Sequence, residues 1–247
     1  MLTFALMLTK SRAIVLGTVK YGDNAVIAHL LTEEEGCRSF VVRIPKTRRS
    51  AGTYRLLQPL ALVETEWDER GGEQLAHPRY IRINTPYVTI PVEPGKTAVV
   101  LFLAEFLHHA LSGEPPSREL FEYVWRSLCW FDEAARHYAN FHLVFLLRLS
   151  RFLGFFPGIR TYVPGAVFDL QSSTFSTTLP SHPHYLLAED AAHLPTLMRL
   201  RYDTMHLFRF SGTERSRLLG LIVEYYRLHI PAFPELKSLS VLRDVFG

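Results

Sequence analysis

A chain of 247 residues, 48% of them hydrophobic, is long enough for one large or two small domains and apolar enough to bury a core, which excludes a disordered protein. The net charge of +3 says little alone, and two cysteines, Cys37 and Cys129, are too few for a disulfide framework or a thiolate zinc site, so a reducing compartment is expected. The apolar start MLTFALMLTKSR lacks the basic region and cleavage site of a signal peptide, and no apolar run is long enough to span a bilayer, so a soluble, cytoplasmic protein is expected.

Residues 12–84 read as strands joined by turns. Residues 12–21 are rich in β-branched side chains and end at Gly22-Asp23-Asn24. Residues 25–32 follow and stop at a charged turn, 33–36. In 37–44 the even positions Phe40, Val42 and Ile44 form a core face of period two, and Pro45 ends the strand. A basic loop at 46–52 and a short helical turn at 53–57 lead to a fourth strand at 59–67. After a turn at 68–72 comes a fifth strand at 73–84. Pro78 needs an edge or a bulge of that strand, because it cannot donate to the ladder. Five short strands with an insertion between the third and fourth have the order of an OB-fold barrel, with a five-stranded SH3-like barrel as the rival.

From residue 97 the period becomes helical. Residues 97–111 are apolar almost all round and should be buried. Ser117 can cap a second helix with Leu120, Phe121, Val124, Leu128 and Phe131 on one stripe. A third helix spans 140–152 and ends at Gly154. Residues 160–185, rich in Ser, Thr and Pro, read as a hairpin or irregular excursion. Helix returns at 190–201, then after a capping box of Ser211 and Glu214, and last at 235–246. The fold class is therefore α+β. A barrel occupies residues 1–85, and an α-helical domain occupies 86–247 with an insertion at about 160–186. The boundary falls in the proline-rich stretch 86–95.

Motifs of nucleotide binding, serine hydrolysis and zinc proteolysis are absent, so no enzyme, metal or cofactor is expected. Cys37 and Cys129 read as small half-buried hydrophobes. His108 and His109 are adjacent on a helix and point in different directions. His182 and His184 could share one side of an extended segment, with Asp169 and Glu189 as the nearest loop carboxylates, but no third ligand has fitting spacing. The run Glu33-Glu34-Glu35 reads as a solvated turn.

Charge distribution is the strongest functional signal. Residues 1–83 carry 12 Lys/Arg against 9 Asp/Glu, whereas residues 84–247 carry 15 of each. Residues 37–59 contain Arg38, Arg43, Lys46, Arg48, Arg49 and Arg55 and no acid. Lys10, Arg12 and Lys20 belong to the first strand and its approach, and Tyr21 and Tyr54 offer stacking faces. Guanidinium and ammonium groups in a row suit phosphates, and exposed aromatics suit unpaired bases. The alternative is an adaptor whose basic barrel meets an acidic protein.

The order of several short motifs resembles the RecO family of bacterial DNA repair proteins. They are Arg12-Ala13-Ile14-Val15-Leu16, Lys20-Tyr21-Gly22-Asp23-Asn24, Leu31-Thr32-Glu33 with Gly36, and the basic loop before Leu56-Leu57-Gln58-Pro59. Further on come Leu146-Leu147-Arg148-Leu149 with Leu153-Gly154-Phe155, and Leu236-Lys237-Ser238-Leu239. The resemblance covers nearly the whole chain. Family members typically begin near Met7, which marks Met7 as an alternative start. Many carry a four-cysteine zinc site after the Leu-Gly-aromatic helix end; this chain has no cysteine there, so zinc is not implied. The resemblance implies an OB-fold that binds single- and double-stranded DNA and anneals complementary strands. It also implies cooperation with RecR to load RecA on DNA coated with single-strand-binding protein. The helical domain would dock that protein's acidic, Phe-ending tail, for which Arg126, Arg136, Arg148 and Arg151 are the candidates.

Overall fold

The computed structural model describes residues 8–45, 50–68 and 75–246. These pack as two compact units, one running to Glu133 together with Leu236–Leu239, the other Ala134–Glu235 with the residues from Ser240 on.

In the first unit, β1 (Leu8–Lys20), β2 (Ala25–Thr32), β3 (Gly36–Arg43), α1 (Ser50–Leu56), β4 (Leu62–Asp68), β5 (Leu75–Ala76) and β6 (Pro78–Thr85) follow one another. The strands form one sheet in the order β5-β3-β2-β1-β4-β6. All neighbours are antiparallel except β3 and β5, where Ser39 lies opposite Leu75. Only His77 separates β5 from β6, so the two edges of the sheet belong to one stretch of chain and the sheet curls back on itself. This is the OB-fold strand order.

The single fifth strand expected at 73–84 is in fact split in two. Pro78 has no amide hydrogen, and where it lies opposite Trp67 the β4–β6 register slips. The first strand also starts earlier than expected. Leu8 to Ser11 pair with Asp68 to Thr65, a partnership 50 or more residues away that the local pattern does not reveal. A register shift between Val15 and Gly17 bends β1, whose first half pairs with β4 and whose second half pairs with β2.

Ala13, Val15, Ala28, Leu30, Phe40, Val63 and Trp67 fill the barrel, with Val42 and Ile44 partly buried against them. The Phe40 and Trp67 rings meet edge to face at 5.3 Å. The expected inward face of β3 is therefore the one observed.

Two helices, α2 (Pro94–Ala110) and α3 (Arg118–Glu133), complete this unit. Pro94 is pre-set for a first turn, so α2 begins three residues earlier than expected. The predicted stripe of α3 is buried, and the Ser117 hydroxyl accepts the Leu120 amide at 3.2 Å. The proline-rich segment ahead of α2 is held firmly. The Asp132 carboxylate accepts the amides of Val88, Thr89 and Ile90 at 2.8, 2.9 and 2.9 Å. The fully buried Lys96 donates to the Thr89 hydroxyl at 2.6 Å and the Asp132 carbonyl at 3.1 Å.

The second unit contains α4 (Phe141–Phe152), the three-stranded sheet β7 (Val167–Asp169), β8 (Thr174–Ser176) and β9 (Tyr185–Leu186), then α5 (Ala188–Ala191), α6 (Leu194–Arg199) and α7 (Gly212–His229); α8 (Ser238–Phe246) ends the chain. The helix expected at 190–201 is broken into α5 and α6. Pro195 sits in the first turn of α6, and in a continuous helix its ring would meet the Ala191 carbonyl. The capping box is as read: Glu214 N–H donates to Ser211 Oγ and Ser211 N–H to Glu214 Oε2. The last helix starts at Ser238 rather than 235. There the Glu105 carboxylate accepts the Lys237 and Ser238 amides at 3.0 and 2.8 Å and the Ser238 hydroxyl. Among the described residues no helix is long and apolar enough to cross a membrane.

Candidate nucleic-acid interface

Strand register sorts the basic residues into three groups. At the first, Arg43 lies opposite Ala25, and the Tyr21 amide donates to the Ala25 carbonyl at 2.9 Å. Tyr21 and Arg43 therefore flank Ala25 where the β1–β2 turn reaches the end of β3, with Lys20 one residue back along β1. All three are exposed, as are Arg55 and Tyr54 on α1. Lys20, Arg43 and Arg55 have no carboxylate partner among the described residues. Lys46, Arg48 and Arg49 lie outside the described residues.

The second group surrounds the β2–β3 turn and is tied down. Arg12 Nε donates to Glu33 at 2.9 Å, and its Nη2 donates to Glu33 at 3.0 Å and to Glu122 of α3. Its guanidinium also lies over the rings of Phe121 and Trp125, at 5.3 and 5.0 Å. The Glu33 hydrogen bonds raise the Arg12 pKa and hold the Glu33 carboxyl below its ordinary value. Arg38 lies 3.2 Å from Glu35. The sequence groups Arg12 with the phosphate-binding candidates, but its contacts make it a bridge between the barrel and α3 within the first unit.

A third group joins the expected Lys10 to Arg79, Tyr80 and Arg82 of β6, which the sequence analysis does not single out. Arg82 and Lys10 share the Glu64 carboxylate at 2.6 and 3.4 Å, and Arg82 lies over the Tyr80 ring at 5.4 Å. Arg79 pairs with Asp68 at 3.0 Å yet stays nearly half exposed. The interleaving Arg79-Tyr80-Ile81-Arg82 was the available signal.

A groove of about 710 Å³ opens between β3, α1 and the β5–β6 segment. Arg43, His77, Arg79 and Tyr80 give it cationic and aromatic walls; Val41 and Leu56 make it partly apolar. Among the described residues Asp68 is the one carboxylate lining it, and Arg79 pairs with it at 3.0 Å. Such walls can hold phosphates on guanidinium groups and sugars or bases on the apolar and aromatic surface.

The four arginines suggested for a peptide tail have separate environments. Arg126 pairs with Glu122 at 3.0 Å. Arg148 donates to the Leu200 carbonyl at 2.9 Å and closes the end of α6. Arg136 is exposed. Arg151 is exposed and lies 4.4 Å over the Phe156 ring, beside a cleft of about 510 Å³ that Arg160 and Ile159 also line.

Burial pushes the Cys37 thiol up to about 11 and also raises that of Cys129. His182 reaches Asp169 at 3.4 Å and His184 reaches Glu224 at 3.7 Å. Among the described residues no three metal-ligating side chains converge.

The curled sheet and the helical part that follows define an α+β protein with an N-terminal OB-fold. Residues 7–84 match the family model of the Recombination protein O N terminal, and residues 93–240 match that of the Recombination protein O C terminal. The chain is 45% identical over 241 residues to the DNA repair protein RecO of Bacteroides fragilis, covering 97% of this chain and all of the relative. It is 43% identical to that of Phocaeicola vulgatus and 31% identical to that of Flavobacterium psychrophilum, with 98% of this chain and all of each relative covered. The chain belongs to the RecO family of DNA repair proteins.

Proposed function

We propose that the barrel, residues 1–85, binds single- and double-stranded DNA along the Arg43–Arg79 groove and the Lys20–Tyr21 corner, and anneals complementary strands. The observation that carries this is Arg43, exposed and without a carboxylate partner among the described residues, in a groove with an aromatic wall, together with the exposed Lys20 and Arg55 on the same barrel. Annealing needs no catalytic residue. Neutralising phosphates on both strands lowers the repulsion between them, and the protein holds the strands at high effective concentration. The protein then works in the cytoplasm as a mediator rather than an enzyme, acting with RecR to load RecA on DNA coated with single-strand-binding protein. Residues 86–247 dock that protein's acidic tail at Arg151 and Arg160, where guanidinium groups flank Phe156 and Ile159.

The test is anisotropy of a labelled random single strand at two salt concentrations, with and without a peptide of that tail. Micromolar or tighter binding that weakens with salt, and separate binding of the peptide, support both assignments. No DNA binding at low salt sinks the barrel assignment and turns attention to an acidic protein partner.

A further inference from the structure

The second unit carries a cationic surface that the first strand would not use. Residues 199–209 contain Arg199, Arg201 and Arg209 with a single carboxylate, Asp203, which Arg201 holds at 3.3 Å. Arg136 comes from the segment ahead of α4. Its neighbour His137 brings it there, since the His137 and His206 rings lie 5.0 Å apart. Arg136, Arg199 and Arg209 are exposed and have no carboxylate partner among the described residues.

Charge alone would describe a solvated face. Two further features do not fit that description. Leu207 and Phe208 stand out among these cations, 68% and 38% exposed. The backbone beneath them is also fixed. Asn140 Nδ2 donates to the Met205 and Phe208 carbonyls at 3.1 and 2.8 Å, and Arg215 anchors both Asn140 Oδ1 and the Phe210 carbonyl at 3.2 and 2.9 Å. Phe141 packs on Tyr202 at 5.1 Å. Exposed apolar side chains on a rigid turn, in a segment that also carries the exposed Arg199 and Arg209, are a preformed surface for a polyanion with flat apolar faces.

We propose that Arg136, Arg199, Arg209 and Phe208 form a second contact for single-stranded nucleic acid, separate from the barrel groove, which receives the complementary strand. The inference rests on the DNA-binding reading of the barrel. It gives each of two strands a place on one chain. The arginines hold phosphates, and Phe208 stacks on an unpaired base.

The full-length protein is mixed with two oligothymidine strands, one carrying a donor dye and one an acceptor. They cannot pair with each other, so energy transfer reports two strands on one protein. Wild type should show transfer that rises with protein and falls once protein is in excess. Arg199→Ala/Arg209→Ala should still bind one strand but lose the transfer. Its second-strand binding should have a log-salt slope lower by about 1.4, two contacts at roughly 0.7 each. Phe208→Ala should weaken second-strand binding by about fivefold or more. Arg199→Lys/Arg209→Lys should keep the transfer. If the alanine variants fail to fold, photo-crosslinking of wild type to a bromodeoxyuridine strand decides. The peptide containing Phe208 should be labelled only as a second strand binds.

Unchanged transfer in the alanine variants, or one strand bound by wild type without transfer, overturns the proposal and leaves the barrel reading standing. So does normal transfer in a variant that has lost an acidic peptide, which would make the surface a protein-docking site. Failure of wild type to bind any strand overturns both readings.

Discussion

Replacing Arg12 by Ala separates architecture from DNA binding. The side chain is 30% exposed, and its partners Glu33 and Glu122 are 9% and 26% exposed. Exposed ion pairs contribute about 0–1 kcal/mol, and breaking a buried one costs about 3–5 kcal/mol. A cation two-thirds covered falls between, at about 2 kcal/mol, with roughly 0.5 kcal/mol more from Phe121 and Trp125. Arg118, 3.1 Å from Glu33, limits the loss. At about 2–4 °C per kcal/mol for a chain of this size, Tm should fall by about 5–10 °C. Affinity for a random single strand should not change.

The effect also has a defined pH dependence. Arg12 holds the folded Glu33 pKa below its unfolded value, against the opposing effect of burial. That contribution is fully present above the unfolded carboxylate pKa and disappears as pH falls through the folded one. The Tm gap between wild type and variant should therefore narrow below about pH 4 to the small part that the Phe121 and Trp125 rings supply. Thermal melts between pH 3 and 7, paired with anisotropy at pH 7, check both points. A variant with wild-type Tm and weakened DNA binding would refute the reasoning and return Arg12 to the interface.

Asp132→Ala removes three charge-assisted hydrogen bonds to the Val88, Thr89 and Ile90 amides while keeping the backbone carbonyl that Lys96 donates to, so stability should fall by about 3 kcal/mol in chemical denaturation. Phe175→Ala, in the aromatic cluster of Phe168 and Tyr162 that packs the small sheet, should cost about 3 kcal/mol, while a chelator should leave Tm unchanged. Loss of Tm on chelation would show a metal in that region. Cys37, held up to about 11, and Cys129 should react with a thiol reagent at pH 8 only as the protein unfolds, as absorbance at a series of denaturant concentrations would show.

Local physics made much of the fold legible. The period-two face of Phe40, Val42 and Ile44, the α3 stripe, the Ser117 cap and the Ser211–Glu214 box each depend on residues close in sequence. What escaped depends on distant partners. Arg12 and Glu122 are 110 residues apart, and nothing near Arg12 says that it will be bridged rather than exposed. Thr9, Lys10 and Ser11 become strand because β4 offers them a ladder. Pro195 did carry a local signal, but the apolar pattern on both sides of it masked the break. The groove was hidden for a related reason. Arg43 and Arg79 come together only because β3 and β5 pair in parallel, a contact that no turn between them announces.

The measurement that bears most directly on the central claim is the salt dependence of single-strand binding after Lys46→Ala/Arg48→Ala/Arg49→Ala. If these three side chains contribute three phosphate contacts, the log-affinity versus log-salt slope should flatten by about 2, roughly 0.7 per contact, with Tm unchanged. A slope equal to that of wild type, in a folded variant, would contradict the account.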